Sequence, residues 1–200
     1  MNNNNKIKVI LLGETGVGKT SLIKVAMGHD FNESEEITIV NSFLEKTIDI
    51  NNEQYKIQIW DTIGQEQYRH LTKLFFNDSK IVILVYDKSS KESFKTLNDW
   101  HEEVKKVLKD DEIILAIVGN KEDLDVEEVD ENKAREYANN LNAKFIMASA
   151  KINGEGFRNF LKELLIDYID KSGGTIKKKD TLVLDKNKIK KKKKNKKCEC

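Results

Sequence analysis

Eight residues near the N-terminus, Gly13-Glu14-Thr15-Gly16-Val17-Gly18-Lys19-Thr20, have the types and spacing to hold a chain of phosphates. The pattern is G-x-x-x-x-G-K-[ST], in which glycines let backbone N–H groups turn inward around an anion. Lys19 is placed to reach the outer two phosphates, and the Thr20 hydroxyl to ligate Mg²⁺. The pattern has meaning only between a strand and a helix, and both are present here. Lys6 to Leu12 is an apolar run of strand length, and Ser21 to Met27 carries Leu22, Ile23 and Ala26 at helical spacing. The helix N-terminus adds its positive dipole end to the same site.

A phosphate loop alone says nucleoside triphosphate, and further loops select the base. Asn120-Lys121-Glu122-Asp123 follows a buried strand. The Asp123 carboxylate suits the N1–H and 2-amino donors of guanine, a pair that adenine lacks at that edge. By itself N-K-x-D is also an ordinary polar turn. Ser149-Ala150-Lys151 follows the last strand, where a backbone N–H can meet the guanine O6. Asp61 ends a strand, as a carboxylate holding Mg²⁺ through water does in phosphate-loop proteins. Beside it, Gly64 can offer an unhindered N–H to a γ-phosphate and Gln65 can orient an attacking water. Thr38 is a candidate for a second Mg²⁺ hydroxyl, although taken alone an ordinary strand-edge threonine is the better explanation.

These loops need a scaffold that brings them to one edge. Ile37 to Ile50 and Tyr55 to Trp60 read as a hairpin around Asn51-Asn52-Glu53, and a short helix is expected from about Tyr68 to Phe76. Ile81 to Tyr86 and Ile113 to Val118 are continuous apolar runs, as in parallel strands buried on both faces. One helix starting near Ser89-Ser90 should carry Phe94, Leu97, Trp100, Val104, Val107 and Leu108. Asn132–Leu141 and Phe157–Ile169 read as helices around a short strand at Lys144–Met147. The alternation predicts an α/β fold: a doubly wound P-loop sheet of six strands, mostly parallel, with one antiparallel edge strand. Ligands on such sheets lie beyond the strand C-terminal ends, where the phosphate loop sits.

The net charge of +1 conceals a division. Residues 171–200 hold 13 lysines and 3 acidic residues, whereas the preceding 170 carry 22 basic and 31 acidic ones. The expected organisation is a disordered lead-in at 1–5, one domain at 6–170, and a disordered polybasic tail at 171–200. No stretch is long and apolar enough to span a membrane, and residues 1–12 lack a signal-peptide pattern. The only cysteines, Cys198 and Cys200, are no disulfide framework, which favours a reducing setting.

Together, Gly13 to Ser21, Thr38, Asp61-Thr62-Ile63-Gly64-Gln65-Glu66, Asn120-Lys121-Glu122-Asp123 and Ser149-Ala150-Lys151 resemble a small Ras-superfamily GTPase over residues 6 to about 170. Lys56 to Trp60, Gln67 to Thr72 and Leu84 to Asp87 resemble segments of the Rab branch. The resemblance implies that Phe31 packs against guanine, and that Phe43, Trp60 and Phe75 form an aromatic triad read by effectors. As plain residues those three are equally core aromatics. Cys198-Glu199-Cys200 is similar to the C-x-C end that Rabs carry for double geranylgeranylation, and the Lys186–Lys197 run would assist at an anionic leaflet.

The resemblance therefore implies a GTP/GDP switch in vesicle trafficking, on the cytoplasmic face of intracellular membranes and cycling with the cytosol. Its implied partners are an exchange factor, a GTPase-activating protein, a GDP-dissociation inhibitor, a prenyltransferase with its escort protein, and effectors. No nucleic acid is expected, although lysine runs also bind nucleic acid. Departures from the family pattern are Ile63 in place of alanine, Val40 with Asn41-Ser42, Thr15, and Met147-Ala148. Ile63 and Thr15 motivate the alternative of a GTP-binding membrane scaffold with little or no hydrolysis. Asn120 to Asp123 argue against a second alternative, an ATPase or kinase.

Overall fold

The computed structural model describes residues 6–34, 38, 42–50, 53–62, 64 and 75–173. Strand β1 (Lys6–Leu12) leads through the phosphate loop into helix α1 (Lys19–Met27). Then come β2 (Ser42–Ile50), β3 (Glu53–Asp61), β4 (Ile81–Asp87), α2 (Lys91–Lys95), α3 (Leu97–Lys105), β5 (Ile114–Asn120), α4 (Glu131–Asn140), β6 (Lys144–Met147) and α5 (Gly154–Lys171). The six strands form one sheet in the order β2-β3-β1-β4-β5-β6. Only β2 runs antiparallel to its neighbour, with Phe43 opposite Trp60 and Ile48 opposite Tyr55. It is also an edge strand, as the alternation of elements predicts.

All seven residues of β4 are buried. That follows from helices covering both faces of a parallel sheet, which leaves no strand face for polar residues. On one face α1 and α5 enclose Ile7, Val9, Leu11, Ile83, Val85, Phe157 and Leu164. On the other, Ile10, Leu12, Leu84, Trp100, Val104, Ala134 and Ile117 form the second layer. Each buried branched or aromatic side chain contributes about 1.5–3 kcal/mol, so these two layers fix the sheet to which every site loop is attached.

Three expectations need correction. Strand β2 starts at Ser42, so Thr38 lies outside it. The long helix after Ser90 is two helices, because Thr96 turns its hydroxyl onto the Ser93 carbonyl at 3.1 Å and interrupts the ladder. Val107 and Leu108 follow the end of α3, and Val107 is exposed. Ser90 does cap α2, accepting from the Ser93 N–H at 3.3 Å. Of the short helix expected over 68–76, only Phe75 and Phe76 fall among the described residues, and they stand at a turn before β4.

Candidate nucleotide-binding site

The loops at the C-terminal ends of β1, β3, β5 and β6 converge on a cleft of about 320 Å³. Its floor is the start of α1. Gly18 caps that helix with φ 92°, and no side chain caps the first-turn N–H groups, which makes them available to an anion. Gly18 is required there for a second reason: a Cβ would lie 2.3 Å from the Asn120 amide nitrogen. Lys19 is buried, and its Nζ donates to the Gly13 and Glu14 carbonyls, each at 2.9 Å. Burial pushes the Lys19 ammonium down to about 8, against the opposing pull of the Asp61 and Glu14 carboxylates.

Next to Lys19, oxygens from three separate segments meet. The Thr20 Oγ1 donates to Asp61 Oδ2 at 2.7 Å and lies 2.7 Å from Thr38 Oγ1. Thr38 Oγ1 also donates to Asp61 Oδ2, at 3.3 Å. Two hydroxyls and a carboxylate form a hard-oxygen donor set, the kind that suits Mg²⁺ and not a soft metal. Gly64 approaches from the same side; a Cβ on it would lie 2.5 Å from the Glu14–Thr15 backbone.

At the other end, Asn120 ties the phosphate loop to the base-side loops. Its Nδ2 donates to the Val17 carbonyl at 2.8 Å, and its Oδ1 accepts from the Ala150 N–H at 3.2 Å. Asp123 accepts from the Ser149 hydroxyl, which also accepts from the N–H groups of Lys151 and Ile152 at 3.1 Å. Lys121 has φ 64°, a conformation that non-glycine residues hold only when their surroundings demand it. Its side chain forms an ion pair with Asp87 at 2.7 Å.

Among the sequence-predicted residues, the cleft is lined by Thr15, Gly16, Gly18, Lys19, Thr20 and Ser21 of the first loop. Phe31, Thr38, Gly64, Asn120, Lys121, Asp123, Ala150 and Lys151 line it from elsewhere. Gly13, Val17 and Ser149 are buried behind it and act through their backbone or neighbours. Asp61 reaches it through the two threonine hydroxyls, while Glu14 lines an adjoining cavity that shares Thr15, Gly16 and Lys121 with the cleft. Gln65, Ile63, Val40 and Asn41 lie outside the described residues, as do Cys198 and Cys200 with the lysine run. Met147 packs its sulfur on the Tyr86 hydroxyl at 3.5 Å, away from the cleft lining.

Reasoning from sequence missed Asn32, Glu33 and Leu124, which also line the cleft, as does Thr62, quoted above only as part of a motif. Glu33 forms an ion pair with Lys151 across 118 positions of sequence, joining the segment after Phe31 to the last loop. Adjacency to Phe31 and Asp123 was the available signal for Asn32 and Leu124. Phe43, Trp60 and Phe75 do form a row, with ring centroids 4.9 and 5.4 Å apart. Phe43 is 45% exposed, so the row opens at the β2 edge and is not wholly core.

The family model for the Ras family matches residues 8–169. The chain is 44% identical to Ras-related protein Rab-21 of Geodia cydonium over 147 residues, 73% of this chain and 64% of the relative. It is 42% identical to Ras-related protein Rab-22A of Homo sapiens over 147 residues, 73% of this chain and 75% of the relative. With Ras-related protein Rab-31 of Rattus norvegicus the identity is 40%, over the same shares. The chain thus spans just under two thirds of the Geodia cydonium relative's length and three quarters of the other two. A phosphate loop, an oxygen triad and an N-K-x-D loop on one cleft, with these relatives, place the chain in the Ras family as a Rab-like small GTPase.

Proposed function

We propose that the chain is a GTP/GDP-switched regulator of intracellular vesicle trafficking that binds GTP, hydrolyses it slowly and holds GDP. The observation that carries this reading is one continuous cleft with Lys19 and Thr20 at one end and Asn120, Lys121 and Asp123 at the other. A triphosphate fits against the uncapped start of α1 with Lys19 at its outer phosphates. Asp123 takes the two guanine donors, and Phe31 covers the base. Thr20 and Thr38, with Asp61 through water, would hold Mg²⁺, which when bound offsets charge on the β- and γ-oxygens.

Hydrolysis is an in-line attack of water on the γ-phosphorus, with the bond to the bridging oxygen breaking to give GDP and phosphate. Gln65 is assigned to orient that water. Lys19 meets the charge that builds on the leaving side. Among the described residues the arginines are Arg135, which bonds Glu131 and stacks on Phe145, and Arg158, which bonds the Val25 carbonyl, and neither lines the cleft. A partner's arginine would accelerate an intrinsically slow step. Thr38 and Gly64 close on the γ-phosphate and separate after hydrolysis, which makes the β2 edge with Phe43, Trp60 and Phe75 the effector face.

We further assign residues 6–170 to the switch and 171–200 to membrane attachment, through prenyl groups on Cys198 and Cys200 and the lysine run. Among the described residues no helix is long and apolar enough to cross a membrane. The deciding experiment for the base is Asp123→Asn. One of the two hydrogen bonds reverses and the other loses its charged acceptor, so GTP affinity should fall roughly a thousandfold and xanthosine triphosphate become the better ligand. A variant that keeps its preference for GTP would remove Asp123 from the base site.

A further inference from the structure

Asp87 is a buried carboxylate beside a cleft that receives an anionic nucleotide, yet it does not line that cleft. It lines the adjoining cavity instead, and Lys121 is the charged residue that faces both spaces. The Lys121 ammonium meets Asp87 Oδ2 at 2.7 Å, with the aspartate side chain 11% exposed and the lysine 35%. The second carboxylate oxygen, Oδ1, accepts from the N–H and the hydroxyl of Ser89, at 2.9 and 2.7 Å. The backbone is held as well. The Asp87 N–H donates to Ser93 Oγ at 3.0 Å, and the residue ends β4 opposite Asn120, which ends β5. Asp87 is thus fixed by strand and turn, whereas Lys121 is the first residue beyond its strand and carries a long flexible stem. Asp87 is the partner of the Lys121 ammonium among the described residues.

We propose that Asp87 is a positioning residue for guanine-nucleotide binding: it holds the Lys121 ammonium on the cavity side, so that the lysine stem stays along the base end of the cleft. The proposal rests on the nucleotide-binding reading given above. An ion pair fixed at the tip of a flexible side chain removes rotamer freedom before the ligand arrives, and that ordering no longer counts against binding. Without the Asp87 charge, the ammonium can turn to water or to Glu14 and Glu92, which line the same cavity, and the stem moves with it. Neither carboxylate is equivalent to Asp87, since Glu14 accepts from the Trp100 indole at 3.2 Å and Glu92 pairs with Lys95 at 3.3 Å.

The test measures release of fluorescently labelled GDP from the full chain. Asp87→Asn keeps the side chain's shape and an acceptor for Ser89 while removing the charge; release should be about tenfold faster, the factor carried by one hydrogen bond between charged groups. Lys121→Met keeps an unbranched stem and removes the ammonium, so it too should speed release. In that background Asp87→Asn should add nothing further, because there is no ammonium left to hold. Asp87→Glu keeps a carboxylate within reach of the lysine and should release GDP more slowly than Asp87→Asn. An unchanged rate in Asp87→Asn, or the same acceleration with and without the Lys121 ammonium, would overturn the proposal, because a role confined to the β4 turn does not depend on that ammonium. Release from Asp87→Glu as fast as from Asp87→Asn would overturn it as well. A wild-type chain that retains no labelled GDP would instead overturn the nucleotide reading, and with it this role.

Discussion

The two ends of the cleft are built differently. At the base end, polar groups are engaged with one another: Asn120 bridges Val17 and Ala150, Ser149 bridges Asp123 and the N–H groups of Lys151 and Ile152, and Lys121 pairs with Asp87. Most of these partners are backbone atoms or strand ends of the buried sheet. At the phosphate end, Thr20, Thr38 and Asp61 come from three segments and meet through side-chain oxygens. On the reading proposed above, base recognition would be scaffolded by the fold, whereas the phosphate end would depend on what holds its segments together. That division suits a switch, which must keep its nucleotide while changing its surface.

Breaking the scaffolded end should have the largest effect. Asn120→Ala leaves the Val17 carbonyl without the donor that now meets it at 2.8 Å. The expected cost is about 1–3 kcal/mol of stability and roughly a hundredfold in GDP affinity. Thermal unfolding and equilibrium titration check both, and an unchanged GDP affinity would mean that this bridge does not organise the site.

The phosphate end should instead respond to pH. Above about 8 the folded protein increasingly holds Lys19 neutral, and a bound triphosphate restores the ammonium by taking up a proton. Triphosphate affinity should therefore fall by about tenfold per pH unit above that point, with proton uptake visible by calorimetry in buffers of different ionisation enthalpy. For the nucleotide-free protein the sign is opposite. The folded value lies below the ordinary 10.5, so the burden of burying Lys19 is full below pH 8 and lifts as pH rises towards 10.5.

The smallest effect belongs to the exposed pair that spans the cleft. Glu33→Ala removes the partner of Lys151, and GDP release should quicken only about twofold, less at high salt. A tenfold change would make this pair a latch and blur the distinction between the two ends.

Much of the scaffold was legible because its signals are local and periodic. The apolar runs of β4 and β5 read directly as buried strands, and a glycine loop between strand and helix marks the phosphate site. The split at Thr96 was not legible, because Phe94, Leu97 and Trp100 keep helical spacing through it. Its cause is one side-chain bond to the Ser93 carbonyl. Glu33–Lys151 and Glu14–Trp100 were hidden for a different reason: they join residues 118 and 86 positions apart, and neither periodicity nor motif encodes such a meeting. The positive φ of Lys121 was equally silent, since nothing about a lysine announces that conformation.

Hydrogen–deuterium exchange of the full chain, loaded with GDP or with a non-hydrolysable GTP analogue, tests the difference between the two ends most directly. Peptides covering Thr38 and Gly64 should exchange markedly more slowly with the triphosphate, while those covering Asn120–Asp123 and Ser149–Lys151 should be equally protected in both forms. Equal exchange at Thr38 and Gly64 in the two forms, or a change confined to the base-side loops, would contradict the division of the cleft into a fixed end and a switching end.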